Sequence, residues 1–355
     1  MVEWKKLGDV CKVLRGKRLT KSQLNESEGY PVLHGGSTPM GYYEEFNRKA
    51  NTTVVVNTGN AGSVFFYDKE FWSSDACFSL YPNKEINDKF LYLYVYGCER
   101  ILKGKIRAGA MPTIDAKAVE DLLVPIPSLS EQQRIVSIID TFTSSISNLK
   151  QQIEERRKQY EYERDLLLDL EGKEGVEMKK LGDFAEIGTG SSNTQDELES
   201  GRYPFFVRSQ IVKWKDDYEF DEIAIITSGD GVGVGKVLHY YEGKYALHQR
   251  AYRIHVENDS IVPKFIFYFM QKDFYWYIMS NAYAASVTSV RRPMLINYPI
   301  PIPPLSTQSR IVSILDTFEQ SISNLEEQLA MREKQYEYYR NQLLTFEGEE
   351  ERGKT

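Results

Sequence analysis

The chain has 355 residues, 41% apolar and 27% charged, with a formal charge of −7; that length suits two domains or a repeated unit. No run approaches the roughly 18 apolar residues of a membrane span, and the opening MVEWKKLGDV carries no apolar signal segment, so a cytoplasmic protein is expected. Cys11, Cys77 and Cys98 are too scattered for a disulfide framework or a CxxC metal site, and His34, His239, His248 and His255 form no zinc spacing.

Residues 1–125 read as a globular domain of mixed character. It opens on Lys5-Lys-Leu-Gly-Asp9, and a basic cluster follows: Lys12, Arg15, Lys17, Arg18 and Lys21. The runs 53–56 and 64–67 have strand composition, and Asn57-Thr-Gly-Asn-Ala-Gly-Ser63 between them reads as a turn. Residues 89–96 form an aromatic, helix-like stretch. Lys103, Lys105 and Arg107 make a second basic group, after which Gly109-Ala-Met-Pro-Thr-Ile-Asp115 leads towards Val124-Pro-Ile-Pro127.

Residues 126–172 read as a long helix. Ile135, Ile139, Phe142, Ile146, Leu149 and Ile153 fall at steps of four and three, the a/d seam of a coiled coil, which falters at Arg156. Ser130 with Gln133 is expected to cap its start, and Gly172 to end it. Residues 173–301 repeat the mixed pattern, with strand-like runs at 223–226 and 252–256 and a helix-like run at 263–279. Residues 302–348 give a second helix with the seam Ile311, Leu315, Phe318, Ile322, Leu325 and Leu329, a break at Arg332, Ser306 as expected cap and Gly348 as expected end. A charged tail, 349–355, follows. About 40 helical residues make a rod of roughly 60 Å. Its seam needs cover, from its own globular domain, from the other helix running antiparallel, or from a second copy of the chain.

The chain is written twice. Segments 126–172 and 302–348 align at a constant offset of 176 with 30 identities in 47 positions, and Val2-to-Asp9 matches Val176-to-Asp183 at an offset of 174. An α+β fold with a pseudo-two-fold internal repeat is expected, two similar mixed domains joined and separated by two long helices that pair as an antiparallel coiled coil. The charge follows the same division. Residues 130–172 hold 6 basic and 9 acidic side chains and residues 305–355 hold 6 and 10, whereas the globular segments balance. Their basic clusters suit phosphate binding, although an ordinary solvated surface gives the same pattern.

No catalytic arrangement emerges. Thr227-Ser-Gly-Asp-Gly-Val-Gly-Val-Gly-Lys236 has the flavour of a phosphate loop, but Asp230 stands where a Walker A glycine is needed, and the GxGxxG spacing fails at Val234 and Lys236. A turn between strands is the better reading. No GxSxG is present, nor the Asn-Pro-Pro-Tyr or Asp-Pro-Pro-Tyr loop of an amino-methyltransferase, so no chemistry is expected of this chain itself.

Two variable domains alternate with two near-identical helices, each introduced by Ile-Pro-x-Leu-Ser-x-Gln-x-Arg-Ile-Val, at 126–136 and 302–312. Each domain also opens on Lys-Lys-Leu-Gly-Asp. This organisation resembles the specificity subunit of Type I restriction-modification systems over nearly the whole chain. The second domain departs from the pattern at Ser286-Val-Thr-Ser-Val-Arg-Arg292. The resemblance implies two target-recognition domains, each reading one half of a split site in double-stranded DNA. It implies helices that set the spacing and dock two methyltransferase subunits, which bring S-adenosylmethionine. In a restricting system, translocating endonuclease subunits would bring ATP and Mg. A related system with a fused methyltransferase-nuclease partner, and a coiled-coil scaffold that binds no DNA, are the alternatives. Base edges in the major groove are read by Arg, Lys, Asn and Gln. The candidates are Lys17, Arg18, Asn60, Lys103, Lys105 and Arg107 in the first domain, and Arg208, Gln210, Lys236, Arg291 and Arg292 in the second. His248-Gln249-Arg250 is a weaker candidate because it abuts a strand.

Overall fold

The computed structural model describes all residues except 1, 37, 108, 110, 232, 282–288 and 347–355. The chain folds as two units, Met1–Leu149 with Gln328–Thr355, and Lys150–Glu327. Each unit therefore contains one globular domain and part of each long helix.

In unit 1 the order is β1 (Glu3–Lys6), α1 (Leu7–Val10), β2 (Cys11–Arg15), β3 (Tyr30–Leu33), β4 (Tyr42–Tyr43), β5 (Thr52–Val56), β6 (Val64–Tyr67), β7 (Trp72–Ser73) and β8 (Cys77–Pro82), then α2 (Asp88–Gly97), α3 (Glu99–Gly104), α4 (Ala116–Glu120), β9 (Leu123–Ile126) and the start of α5 (Leu129–Leu167). An antiparallel sheet runs β2-β8-β5-β6, a smaller one runs β4-β3-β7, and β1 pairs with β9. The all-buried run Thr-Thr-Val-Val-Val of β5 explains its central place, since β-branched side chains fill both faces of a covered sheet. Against it lies α2, whose first turn is capped by Asn87, its side chain accepting from the Lys89 and Phe90 N–H groups. Phe90, Leu91 and Val95 of α2 join Val55, Phe78 and Leu80 in one core.

Unit 2 repeats this plan. It has β10 (Glu177–Lys180), β11 (Ala185–Thr189), β12 (Tyr203–Phe206), β13 (Lys213–Lys215), β14 (Phe220–Ser228), β15 (Leu238–Leu247), β16 (Ala251–Val256), α6 (Pro263–Asn281), α7 (Arg292–Ile296), β17 (Pro299–Ile302) and the start of α8 (Leu305–Leu344). The strands that form separate sheets in unit 1 merge here into one, β11-β16-β14-β15-β12-β13. The cause is β15, ten residues long, which spans the places of both β6 and β7. Phe265, Tyr268, Phe274 and Ile278 of α6 pack on Ile225 and Ile254. Each such side chain buried stabilises the unit by about 1.5–3 kcal/mol. The predicted strand and helix runs of both domains, and the strand-to-strand turn at Thr227–Lys236, all appear.

The seam of each helix is covered in two ways at once. Ile135 and Ile139 of α5, and Tyr336, Leu343 and Phe346 from the end of the chain, all join the unit 1 core. Ile311 and Leu315 of α8 join the unit 2 core with Tyr160, Leu168 and Leu170. Within each unit the two helices also run antiparallel. In unit 1 Phe142 stacks on Tyr339 with ring centroids 5.3 Å apart, and in unit 2 Tyr160 meets Phe318 at 6.4 Å. The two arginines that interrupt the seam fill it: Arg332 lies 5.7 Å from the Phe142 ring and Arg156 5.8 Å from the Phe318 ring. A cation over an aromatic face contributes about 0.5–2 kcal/mol. Phe142, Ile146, Leu149, Phe318, Ile322, Leu325 and Leu329 are half-buried, and Ile153 is buried.

The helix ends differ from expectation. The Ser128 hydroxyl accepts from the Glu131 N–H at 3.3 Å, so Ser128 rather than Ser130 caps α5. Pro304 takes the matching position before α8, which leaves Ser306 inside the first turn. Helix α5 stops at Leu167, before Gly172, because Leu168 and Leu170 turn into the unit 2 core. Gly172 serves in the following turn at φ +73°, and Gly348 lies outside the described residues.

The repeated phrase has a structural cause. Gln132 is fully buried, donating from Nε2 to the Glu85 and Pro127 carbonyls at 2.8 and 2.9 Å and accepting from the Asn87 N–H at 2.8 Å. Gln308 repeats all three bonds, to the Ser260 and Pro303 carbonyls at 3.1 and 2.8 Å and from the Val262 N–H at 2.9 Å. One amide thus closes the loop before α2, and its copy the loop before α6. Beside these, Lys89–Asp140 and Lys264–Asp316 form matching ion pairs at 2.7 Å.

Candidate nucleic-acid interface

In each domain five loops meet at one end of the sheet, tied by backbone hydrogen bonds. In domain 1 Ser74 N–H donates to Leu33 O at 3.1 Å, Asn57 N–H to Ala76 O at 2.8 Å, and Ile114 N–H to Asn57 O at 2.9 Å. In domain 2 His248 N–H donates to Phe206 O at 3.0 Å, Gly229 N–H to Arg250 O at 2.9 Å, and Val290 N–H to Gly229 O at 2.8 Å. The matched bridges Thr58–Thr113 and Asp230–Ser289 extend the correspondence. Gly16 and Gly190 also occupy one place in the two copies: a Cβ there would meet Ser74 O at 2.1 Å and Leu247 O at 1.8 Å, so only glycine lets this loop approach. The segment where the second domain departs in sequence, 286–292, lies outside the described residues up to 288. Its described part takes the place of Thr113 to Ala116.

This frame equates Gly35 with Arg208, Thr58 with Asp230, and Ala76 with Arg250. The backbone repeats while the side chains do not. In domain 2 the Asp230 carboxylate accepts from Arg208 Nη1 at 2.7 Å and Arg250 Nη1 at 3.3 Å. Burial opposes its ionisation, but the two guanidinium groups outweigh that and hold the carboxyl below the usual carboxylate range. Ser228 fixes the same turn, donating to Asp230 O at 2.7 Å. His248 Nδ1 accepts the Arg250 N–H at 3.0 Å, and its Nε2 faces Thr194 Oγ1 at 3.2 Å. Burial, then the neighbouring Arg208 and Arg250, push the His248 pKa down, against Asp230 and Asp196. An open cleft of about 340 Å³ is lined by Thr194, Glu197, Arg208, Lys213 and Asp230.

The sequence candidates divide between this end and elsewhere. Asn60 is exposed, its N–H on Gly35 O, and Arg107 is ion-paired to Asp115 beside Thr113. Lys17 is exposed, with its N–H on Ser73 O. Lys103 lies against Gly62 and is held by Glu99 at 2.6 Å. Arg18 and Lys105 are exposed. In domain 2 Arg208 is at the centre of the loop end. Gln210 is exposed just beyond it, and Arg291 is the N-cap residue of α7, where domain 1 has Asp115. Arg292 is exposed on α7, and Lys236 lies 5.3 Å from the Tyr275 ring. Sequence reasoning missed Asp230 as the joint between Arg208 and Arg250, because residues 22 and 20 positions away meet only through the sheet. The glycine-rich turn was the available signal.

Among the described residues, no group of three or more His, Cys, Asp or Glu side chains is placed to hold a metal ion, and no helix is long and apolar enough to cross a membrane.

The chain matches the model of the Type I restriction modification DNA specificity domain twice, over residues 1–156 and 173–331. The EcoR124I/EcoR124II type I restriction enzyme specificity subunit of Escherichia coli is 26% identical, covering 97% of this chain and 94% of its own. A Haemophilus influenzae relative assigned to the same class is 28% identical over 97% of this chain and 96% of its own. The crystal structure of a Type-I restriction-modification system S subunit from M. genitalium shares the fold, with a TM-score of 0.72, 17% identity and 97% of each chain covered.

Proposed function

The chain belongs to the Type I restriction-modification DNA specificity family, as a specificity subunit, and from that premise we propose that each loop end reads one half of a bipartite site in double-stranded DNA. The observation that supports this is the frame repeated in both domains with different side chains on it. A duplicated scaffold with divergent loop tips can meet two stretches of one duplex and recognise different bases in each.

In this reading the chain is non-catalytic. S-adenosylmethionine and the methylating chemistry belong to two methyltransferase subunits docked on the helices. ATP and Mg belong to translocating endonuclease subunits where the system restricts. The complex works in the cytoplasm. With balanced globular segments and acidic helices, the chain alone has little electrostatic attraction for DNA, so partner subunits supply much of the phosphate contact.

The test is binding by the chain purified with its methyltransferase partner. Sequence-selective binding that weakens steeply with salt is expected, and binding indifferent to sequence would overturn the reading. The role of the helices in spacing has its own test. Matching seven-residue insertions near Gln152 and Gln328 keep the a/d register and lengthen each helix by about 10 Å, close to three base pairs at roughly 3.4 Å each. The half-site sequences should persist and the preferred gap should change. An active variant with the original gap would contradict the ruler role.

A further inference from the structure

Arg208 and Arg250 come from separate strand ends and converge on one carboxylate. Their side chains are 39% and 62% exposed, that of Asp230 24%. Each guanidinium has five N–H donors, and Asp230 engages one from each. The carboxylate thus anchors each guanidinium at its Nη1.

Two readings of such a pair compete: a grip on phosphate and recognition of a base edge. Asp230 discriminates between them. Its charge cancels half the positive charge of the pair, which weakens attraction for a phosphate, while its contacts tether both guanidinium groups at one place, the pre-positioning that base reading requires. The comparison of domains points the same way. Backbone-positioning contacts carry no sequence information and have no reason to differ on an identical frame. Yet domain 1 places Gly35, Thr58 and Ala76 at these three positions, all uncharged.

We propose that Arg208 and Arg250 are the guanine-reading residues of domain 2, each offering paired donors to O6 and N7 in the major groove, and that Asp230 is the residue that positions them. The proposal rests on the reading of the loop ends as DNA-binding. Gly35, Thr58 and Ala76 are then the matching specificity positions of domain 1, where small neutral side chains leave room for a different base pair.

The experiment maps methylated adenines in cells carrying the full complex with wild-type, Arg250→Lys, Arg208→Lys and Asp230→Asn chains. Salt-dependent binding of each purified complex to the mapped site is measured alongside. Arg→Lys keeps the charge and removes the fork. Each such variant should lose discrimination at one G·C position of a single half-site, by about 5- to 150-fold, the worth of a bidentate base contact. The other half-site should stay unchanged, and Asp230→Asn should relax both positions. A loss spread evenly over all sequences would identify phosphate contacts and overturn the proposal, as would an unchanged motif in every variant or a wild-type domain 2 half-site without G·C. Failure of the underlying reading looks different: the wild-type complex would then show no sequence preference at all. Melting curves verify that each variant stays folded, since Arg208 and Asp230 are half-buried and only Arg250 is exposed.

Discussion

The two long helices and the two globular domains both repeat, but they repeat in different ways. In the helices side chains and backbone both repeat. Gln132 and Gln308 make the same three hydrogen bonds, and Arg156 and Arg332 cover the equivalent phenylalanines of the opposite helix. In the domains the hydrogen-bonded frame repeats while its loop tips carry unrelated residues. Constant side chains suit internal joints that must be built twice, and variable ones suit a surface that meets two different sequences.

Breaking the repeated part should have the largest effect. Leu315 is fully buried where α8 enters the unit 2 core. Leu315→Asp places an unpaired charge there, at a cost of several kcal/mol unless it neutralises. Chemical denaturation should show unit 2 lost or a large fall in midpoint, whereas the same change at half-buried Ile322 should cost clearly less. Gln132→Ala and Gln308→Ala come next. Each strips partners from a part-buried N–H, a part-buried carbonyl and the buried Pro127 or Pro303 carbonyl, and about 1–3 kcal/mol is expected for each variant, a comparable loss in both because the bonds are the same. A loss in only one copy would show that the latch is repeated in form alone.

The smallest expected effect distinguishes the loop ends by pH. Burial lowers the pKa of His248 and of His239 from 6.5. The unfolded chain therefore takes up protons at higher pH than the folded one, so stability is full above about 6.5 and declines as pH falls below it. Protonation of His248 Nδ1 also removes the acceptor for the Arg250 N–H. Domain 1 has Ser74 at this place. His248→Asn should flatten the fall in melting temperature between pH 7 and pH 5.5, and an unaltered slope would show that His248 does not contribute to it.

Much of this fold was legible because repetition and periodicity are local signals. The repeat, the helix seam and the main strands could be read from residue order, and the phrase Ile-Pro-x-Leu-Ser-x-Gln marked both helix starts. Its glutamine could not be explained, because two of its three partners lie 45 to 48 positions away in the loops before α2 and α6. Helix ends were misplaced by the same limit. Gly172 is a plausible stop, yet tertiary burial of Leu168 and Leu170 ends α5 first. Of the candidate interface, exposed basic residues were found by type. The joint at Asp230 was marked only by its glycine-rich turn, since three loops distant in sequence build it.

Independent reading of DNA by the two loop ends, on one repeated frame, has a consequence at the level of the whole domain. Exchange of residues 173–301 for the matching segment of a relative with a different target, followed by mapping of methylated adenines in the host, tests it most directly. One half-site should change to the donor's and the other should be kept. A motif altered in both halves, or in neither, would contradict it.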